Sequence, residues 1–161
     1  MSLHNLDGIP PILDFEASSL SDTSYPISAG LVVAGKVHYW IIKPEPDWID
    51  WSLQSQAIHG LSRSFIEAKG QPAHEVFNEI CAAMEGHDAA YSDNQEWEKM
   101  WISRLGVAPF KIKDTAELLT PMYQRVFPIY RANTFKAHNL VTHRADHDAL
   151  AIALTIKQLN N

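Results

Sequence analysis

The sequence has little cysteine, few basic residues and no long apolar run. Its single cysteine, Cys81, cannot form an internal disulfide, which suits a reducing compartment. Thirteen Lys and Arg against 19 Asp and Glu give a net charge of −6, which argues against holding long nucleic acid by bulk attraction. The first residues lack a signal-peptide pattern, and no apolar run is long enough to span a bilayer. We therefore expect a soluble, cytoplasmic protein with no membrane partner.

What remains is the composition of a globular domain. Hydrophobic residues make up 46% of the 161 positions, and only seven positions are glycine. A chain of this length can bury a core without disulfides or a structural metal. Neither an internal repeat nor a linker-like stretch divides it, so we expect a single domain over residues 1–161. Six of the 13 Lys and Arg fall within residues 106–145, which contain only two acids. This basic segment can meet a few phosphates, although a solvated surface of mixed charge is the commoner explanation.

Hydrophobic periodicity and turn residues predict a mixed α/β sheet. Three strands come first, at residues 11–17, 27–35 and 36–44, with a tight turn near Ala34 and Gly35. Helices then alternate with strands, the helices at 52–60, 71–86, 94–106, 115–119 and 145–159 and the strands at 88–92 and 109–114. Pro121 and Pro128 are expected to interrupt the stretch after residue 119. This order favours a mixed sheet with helices covering its faces.

Two acids interrupt the first predicted strand, in the segment "ILDFEASSL". Residues two apart on a strand project from the same face, so Asp14 and Glu16 point at one spot while Leu13 and Phe15 point to the other side. Adjacent carboxylates repel and are costly to desolvate, and a divalent cation relieves both costs by accepting their oxygens. An isolated D-x-E is more often the wet face of a strand, so a metal site requires further acids.

The C-terminal segment "HRADHDALAIA" supplies another acid and a histidine. Asp148 interrupts an apolar helix face that includes Ala149 and Ile152, where a carboxylate is expensive unless something binds it. His143 precedes this acid by five residues, and imidazole is the side chain that titrates near neutral pH. Alternatively, acids in the first turn complement the helix dipole, an explanation that stays open for Asp146.

Taken in order, these segments resemble the DEDDh family of 3′-to-5′ exonucleases, within the ribonuclease H-like superfamily. "DFEASSL" resembles its first motif, D-x-E-x-x-x-L, and "HRADHDA" resembles its third, H-R-A-x-x-D-A. "AIHGLS", residues 57–62, is similar to an I-H-G-[IL] segment of many members, and "KDTAELL" to a D-T-x-x-L stretch. The second motif, H-N-x-x-F-D-x-x-[FL]-[LI], corresponds to "DNQEWEKMWI", where Glu98 replaces the usual Asp and Asp93 replaces the usual His.

The resemblance implies a ribonuclease H-like fold and an enzyme that shortens single-stranded nucleic acid or short oligonucleotides from the 3′ end, releasing nucleoside 5′-monophosphates. It implies two divalent cations, Mg²⁺ or Mn²⁺, held by Asp14, Glu16, Glu98 and Asp148. His143 would be the general base. The positions beside the 3′-terminal nucleotide would be Ala17, Ser18, Leu20, His59 and Leu61. Many small relatives form dimers, so a homodimer is a further expectation.

Two questions about the second motif stay open in the sequence. Because Glu98 is one methylene longer than Asp, Asp93 competes with it as the fourth ligand. The same departure keeps a second class of function open, a catalytically impaired nuclease-like domain that serves as a nucleic-acid-binding or assembly module. The joint presence of Asp14, Glu16, His143 and Asp148 weighs against this alternative, because a binding module has no evident need for all four. The sequence does not distinguish RNA from DNA as the substrate.

Two other metal-dependent classes fit less well. The "GHD" at residues 86–88 and the "HD" at 147–148 suggest an HD phosphohydrolase, but that fold is all-helical and the first third of this chain is rich in predicted strands. His143 and His147 have the i, i+4 spacing of zinc ligands on a helix. However, Arg144 stands where the zinc-protease motif H-E-x-x-H has its glutamate.

Overall fold

A six-stranded mixed sheet lies at the centre of the computed structural model, which describes residues 6–161. In chain order its strands are β1 (Ile12–Ala17), β2 (Pro26–Val33), β3 (Lys36–Lys43), β4 (Gln71–Pro72), β5 (Ala89–Ser92) and β6 (Lys111–Asp114). They lie in the order β4-β3-β2-β1-β5-β6. The first three strands are antiparallel neighbours, whereas β5 runs parallel to β1 and β6 parallel to β5. The predicted α/β class with an antiparallel start is confirmed.

Among residues 6–161, six helices flank the sheet: α1 (Leu53–His59), α2 (Arg63–Lys69), α3 (Ala73–Ala83), α4 (Gln95–Leu105), α5 (Pro121–Ala137) and α6 (Ala145–Asn160). The predicted helix at 115–119 is a single 3₁₀ turn, Thr115–Leu118. Gly60 ends α1 with a φ of 76°, as its position predicted. The predicted tight turn between β2 and β3 is also present, with positive φ angles at Ala34 and Gly35. Within the described part of the chain, no helix is long and apolar enough to cross a membrane.

Helices α2 and α5 differ from the sequence-based expectation. In α2 only Ile66 is buried, so its seven residues carry no hydrophobic periodicity that a sequence pattern reveals. Pro128 was expected to break the chain after residue 119, yet α5 continues through it. The buried Phe127 and Phe135 lie on either side of this proline, and α5 packs on α6. Burial of this face outweighs the backbone hydrogen bond that the proline removes.

The two faces of the sheet pack against different helices. On one face, Leu13 and Phe15 of β1 contribute to a core with residues of α3 and α4. On the other face, Ile12 joins a core formed mainly by α6. By strand alternation, Asp14 and Glu16 share the face of Ile12, which places both acids on the side of α6.

Candidate functional site

Three carboxylates meet where the N-terminal turn of α6 crosses the sheet. Asp14 and Glu16 come from β1 and Asp148 from α6, and one oxygen of each lies within 4.8 Å of the other two. Gly30 of β2, which pairs with Asp14, permits this approach. A Cβ at Gly30 would lie 2.2 Å from the carbonyl carbon and oxygen of Ala145, so only glycine lets α6 come this close. Oxygen ligands so arranged fit a divalent cation.

These acids open into a cavity of about 400 Å³. Its walls come from the end of β1 and the following loop, from α1, α4 and α5, and from the turn before α6. Residues of these walls include Ala17, Ser19, Leu20, Ile58, His59, Asp93, Glu98, Trp101, Arg131 and His143. The cavity thus combines acids, two histidines, one arginine and apolar side chains at a single opening.

Glu98 reaches the cavity from the first turn of α4 and is almost completely buried. Its Oε1 accepts a hydrogen bond of 3.4 Å from the backbone N–H of Phe15. Its Oε2 is buried and has no hydrogen-bond partner among residues 6–161. Burial raises the pKa of Glu98 well above its ordinary value, and repulsion from Asp93 and Glu16 adds to the rise. A buried carboxylate oxygen without a partner calls for a proton or a cation.

Asp93, the competing candidate, is held by a guanidinium group. Arg131 of α5 donates one N–H to Asp93 and another to Oδ1 of Asp148 at 2.9 Å. Asp93 therefore already has a cationic partner, whereas Oε2 of Glu98 has none in the described structure. Arg131 is a cavity residue that the sequence did not single out. Its only sequence signal is its place in the basic segment of residues 106–145.

The acids of the cavity are difficult to ionise together. Burial raises the pKa of Asp14 well above its ordinary value, and repulsion from Glu98 and Asp148 adds to the rise. Burial also raises the pKa of Glu16 to about 8, with Asp148 adding and Arg131 opposing. For Asp148, burial again raises the pKa, although Arg131 partly compensates. Burial and mutual repulsion thus both disfavour the ionised forms of these acids, and a bound cation would relieve both effects.

His143 lines the same cavity from the turn that precedes α6. Its φ of 58° lies in the left-handed region, which residues other than glycine adopt uncommonly and which often marks functional sites. The next residue, Arg144, donates its backbone N–H to Oδ2 of Asp148 at 3.0 Å, which ties this turn to the acid. Burial lowers the pKa of His59, and the neighbouring His143 lowers it further.

Three of the five residues predicted beside a terminal nucleotide line the cavity: Ala17, Leu20 and His59. Ser18 does not, because its buried hydroxyl donates to Oδ2 of Asp50 at 2.7 Å. Leu61 packs instead toward the cluster around Tyr25. The structure therefore groups three of the four predicted acids and places Glu98, His143 and three of the contact positions on the wall of the same cavity. It leaves Ser18 and Leu61 outside.

The fold matches solved structures of exonuclease I. Exonuclease I of E. coli in complex with a dA16 oligonucleotide gives a TM-score of 0.68 at 13% identity, covering 92% of this chain and 40% of that one. The enzyme from Methylocaldum szegediense gives 0.63 at 12% identity, covering 92% and 40%. A zinc-bound form of the E. coli enzyme with single-stranded DNA gives 0.61 at 14% identity, covering 92% and 39%.

These identities show a shared fold alone. The chain spans about two fifths of the length of these exonuclease I structures. No family model matches the chain, and no curated protein matches it in sequence. The class that fold and site define is therefore an α/β domain of the exonuclease I fold with a cavity lined by carboxylates.

Proposed function

We propose that this chain is a metal-dependent 3′-to-5′ exonuclease of the DEDDh type, with single-stranded nucleic acid or short oligonucleotides as substrates and nucleoside 5′-monophosphates as products. The observation that carries the proposal is the convergence of Asp14, Glu16 and Asp148 in one cavity with His143. The same cavity is lined by Glu98, whose buried Oε2 has no hydrogen-bond partner among the described residues. The shared fold with exonuclease I, solved with single-stranded oligonucleotides, adds support.

The donor set fits hard divalent cations. Carboxylate oxygens are the ligands that Mg²⁺ and Mn²⁺ prefer, and the acids that would hold two such ions are Asp14, Glu16, Glu98 and Asp148. When bound, the ions supply Lewis-acid activation and stabilise charge on the phosphodiester oxygens. Raised carboxyl pKa values and the orphaned oxygen of Glu98 both support a cation at this position.

The chain's own residues would position the substrate and move a proton. His143 is at the cavity wall, where an imidazole can accept a proton from the attacking water as general base. Arg131 orients Asp148 through its hydrogen bond. Leu20 and His59 offer a wall for the terminal nucleotide. A cavity of about 400 Å³ suits an unpaired strand end, and the net charge of −6 gives little attraction to long duplex.

The proposal is tested by digestion of 5′-end-labelled RNA and DNA oligomers with Mg²⁺, Mn²⁺ or EDTA. We expect stepwise shortening from the 3′ end with a divalent ion, no shortening in EDTA, and nucleoside 5′-monophosphates as products. Binding of the oligomers without shortening under any metal would contradict the enzyme and favour the impaired binding or assembly module. The single-domain organisation, the homodimer and the cytoplasmic location stay predictions, since no observation on the described residues tests them.

His143→Ala is expected to lower kcat by about 10²- to 10⁴-fold, the usual contribution of a positioned general base. Because the acids remain, stabilisation of the fold by Mn²⁺ should be unchanged. Oligomer digestion measures the first effect and thermal unfolding the second. His74→Ala, at an exposed position of α3, is the matched control and should keep parental activity. An unchanged kcat in His143→Ala would remove this residue from the reaction.

Glu98→Gln is expected to lower turnover by more than about 10²-fold. Asp93→Asn should lower it less, by about 10- to 100-fold, which is the usual loss when a residue that supports a metal ligand is changed. The reason is that Asp93 is paired with Arg131, whereas Oε2 of Glu98 has no hydrogen-bond partner in the described part of the chain. The measurement is kcat as a function of Mn²⁺ concentration for both variants. Loss of turnover in Asp93→Asn alone would make Asp93 the fourth ligand.

A further inference from the structure

Four hydroxyl groups converge on the carboxylate of Asp50, which lies shortly before α1. Its Oδ2 accepts hydrogen bonds from Ser18 Oγ at 2.7 Å and Ser19 Oγ at 2.6 Å. Its Oδ1 accepts hydrogen bonds from Ser21 Oγ at 3.0 Å and Thr23 Oγ1 at 3.4 Å. All four donors belong to the segment between β1 and β2. A single side chain thus fixes most of this segment.

The hydrogen bonds favour the ionised form of Asp50. Burial opposes ionisation, but the hydroxyls of Ser19, Ser18 and Ser21 together lower the pKa of this carboxyl below its ordinary value. An ionised carboxylate only accepts hydrogen bonds, which matches four donors. An asparagine would present one accepting oxygen and one NH₂ group to the same hydroxyls.

Helix α4 also holds the segment between β1 and β2, residues 18–25, which we call the β1–β2 loop. Trp101 Nε1 donates to Ser24 Oγ at 2.9 Å, and Arg104 donates to the carbonyl oxygen of Asp22 at 2.7 Å. Helix α4 also carries Glu98, which lines the cavity. The loop is therefore fixed between the segment before α1 and the helix that contributes to the acid cluster.

Leu20 projects from this fixed loop at the mouth of the cavity. Its side chain is 72% exposed, although Ser19 and Ser21 on either side are bound to Asp50. Ile58 of α1, also exposed, lines the same opening. Two exposed aliphatic side chains, one of them on a fixed backbone, offer a firm apolar surface to the face of an unpaired base.

We propose that Asp50 is a positioning residue that holds Leu20 in place against the base at the 3′ end of the substrate. This role rests on the proposed nuclease function and deepens it. A loop fixed before binding avoids the entropy cost of ordering it on binding. Asp50 would therefore act on substrate affinity and leave the acids and the chemical step unaffected.

Asp50→Ala is expected to raise KM for oligomers by about tenfold, the cost of ordering one or two loop side chains, with kcat within about twofold of the parent. Asp50→Asn, which keeps one accepting oxygen, should raise KM less. Asp47→Ala removes an exposed acid three residues before Asp50. It is the matched control and should keep the parental KM. A fall in kcat with unchanged KM in Asp50→Ala would overturn the proposal.

A double-mutant cycle with Leu20→Ala tests whether Asp50 acts through Leu20. If it does, the double variant has a KM close to that of either single variant, because each change removes the same contact. KM effects that multiply in the double variant would mean that Asp50 acts elsewhere, and would overturn the proposal. If Asp50→Ala does not fold, Ser21→Ala tests the same arrangement. It removes one of the four hydroxyls and leaves the carboxylate of Asp50, so we expect a smaller rise in KM.

Two readouts do not require turnover. Hydrogen exchange of the amides in residues 18–25 should be faster in Asp50→Ala than in the parent, and stabilisation by Mn²⁺ should be unchanged. Titration with nucleoside 5′-monophosphate in Mn²⁺ should show weaker binding in the same variant. A parent without nuclease activity would contradict the proposed function, while these two measurements would still decide the role of Asp50. Unchanged loop exchange and unchanged nucleotide affinity would overturn it.

Discussion

Asp14→Asn is expected to abolish turnover while making the metal-free protein more stable. Asp14 is buried at the centre of the acid cluster, and its pKa is raised by burial and by repulsion from Glu98 and Asp148. Asparagine keeps the shape and removes the charge, so the repulsion is relieved in the absence of metal. The loss of a central ligand should cost several kcal/mol of transition-state stabilisation, or about 10³-fold or more in kcat.

Oligomer digestion in Mn²⁺ and thermal unfolding in EDTA measure the two parts of this prediction. Each kcal/mol of relieved repulsion should raise the melting temperature by about 2–4 °C in a chain of this size. Asp88→Asn, an exposed acid just before β5, is the matched control and should change neither quantity. Full turnover in Asp14→Asn would remove this residue from the active site. A lower melting temperature in EDTA would show that its charge is already compensated in the metal-free protein.

Mn²⁺ is expected to stabilise the fold far more near pH 8 than near pH 5. Glu16 has a folded-state pKa of about 8, and the pKa values of Asp14 and Glu98 are also raised. The metal-free folded protein therefore binds more protons than the unfolded chain, whose carboxyls titrate at about 4. The stability that these extra bound protons contribute is complete below about pH 4. It is lost as the pH rises through the folded-state pKa values of the acids.

The metal reverses this loss because it binds the deprotonated carboxylates. Thermal unfolding in Mn²⁺ and in EDTA across this pH range measures the difference. At a free Mn²⁺ concentration of a hundred times Kd, the gain should be about 2.7 kcal/mol, or roughly 5–10 °C. In the double variant Asp14→Asn/Glu16→Gln both the gain and the pH dependence should largely disappear. Equal stabilisation at both ends of the range, or none, would contradict a metal site formed by these acids.

The success and failure of the sequence-based predictions have a common physical basis. The α/β class, the first three strands and α6 follow from hydrophobic periodicity, which is a local property of the chain. Helix α2 and the continuation of α5 through Pro128 were missed because packing against the rest of the protein stabilises them. Because α5 was not predicted, the position of Arg131 in the cavity was not predicted either.

By itself, the sequence determined that Asp14 and Glu16 share one face of β1, and that Asp148 begins an apolar helix. Only the tertiary structure decided that Ser18 donates its hydroxyl to Asp50 and that Asp93 pairs with Arg131, partners 32 and 38 residues apart in the chain. Alternation along a strand is fixed by backbone geometry within a few residues. Partners at such separations meet only through the order of the strands and the packing of the helices, which local patterns do not encode.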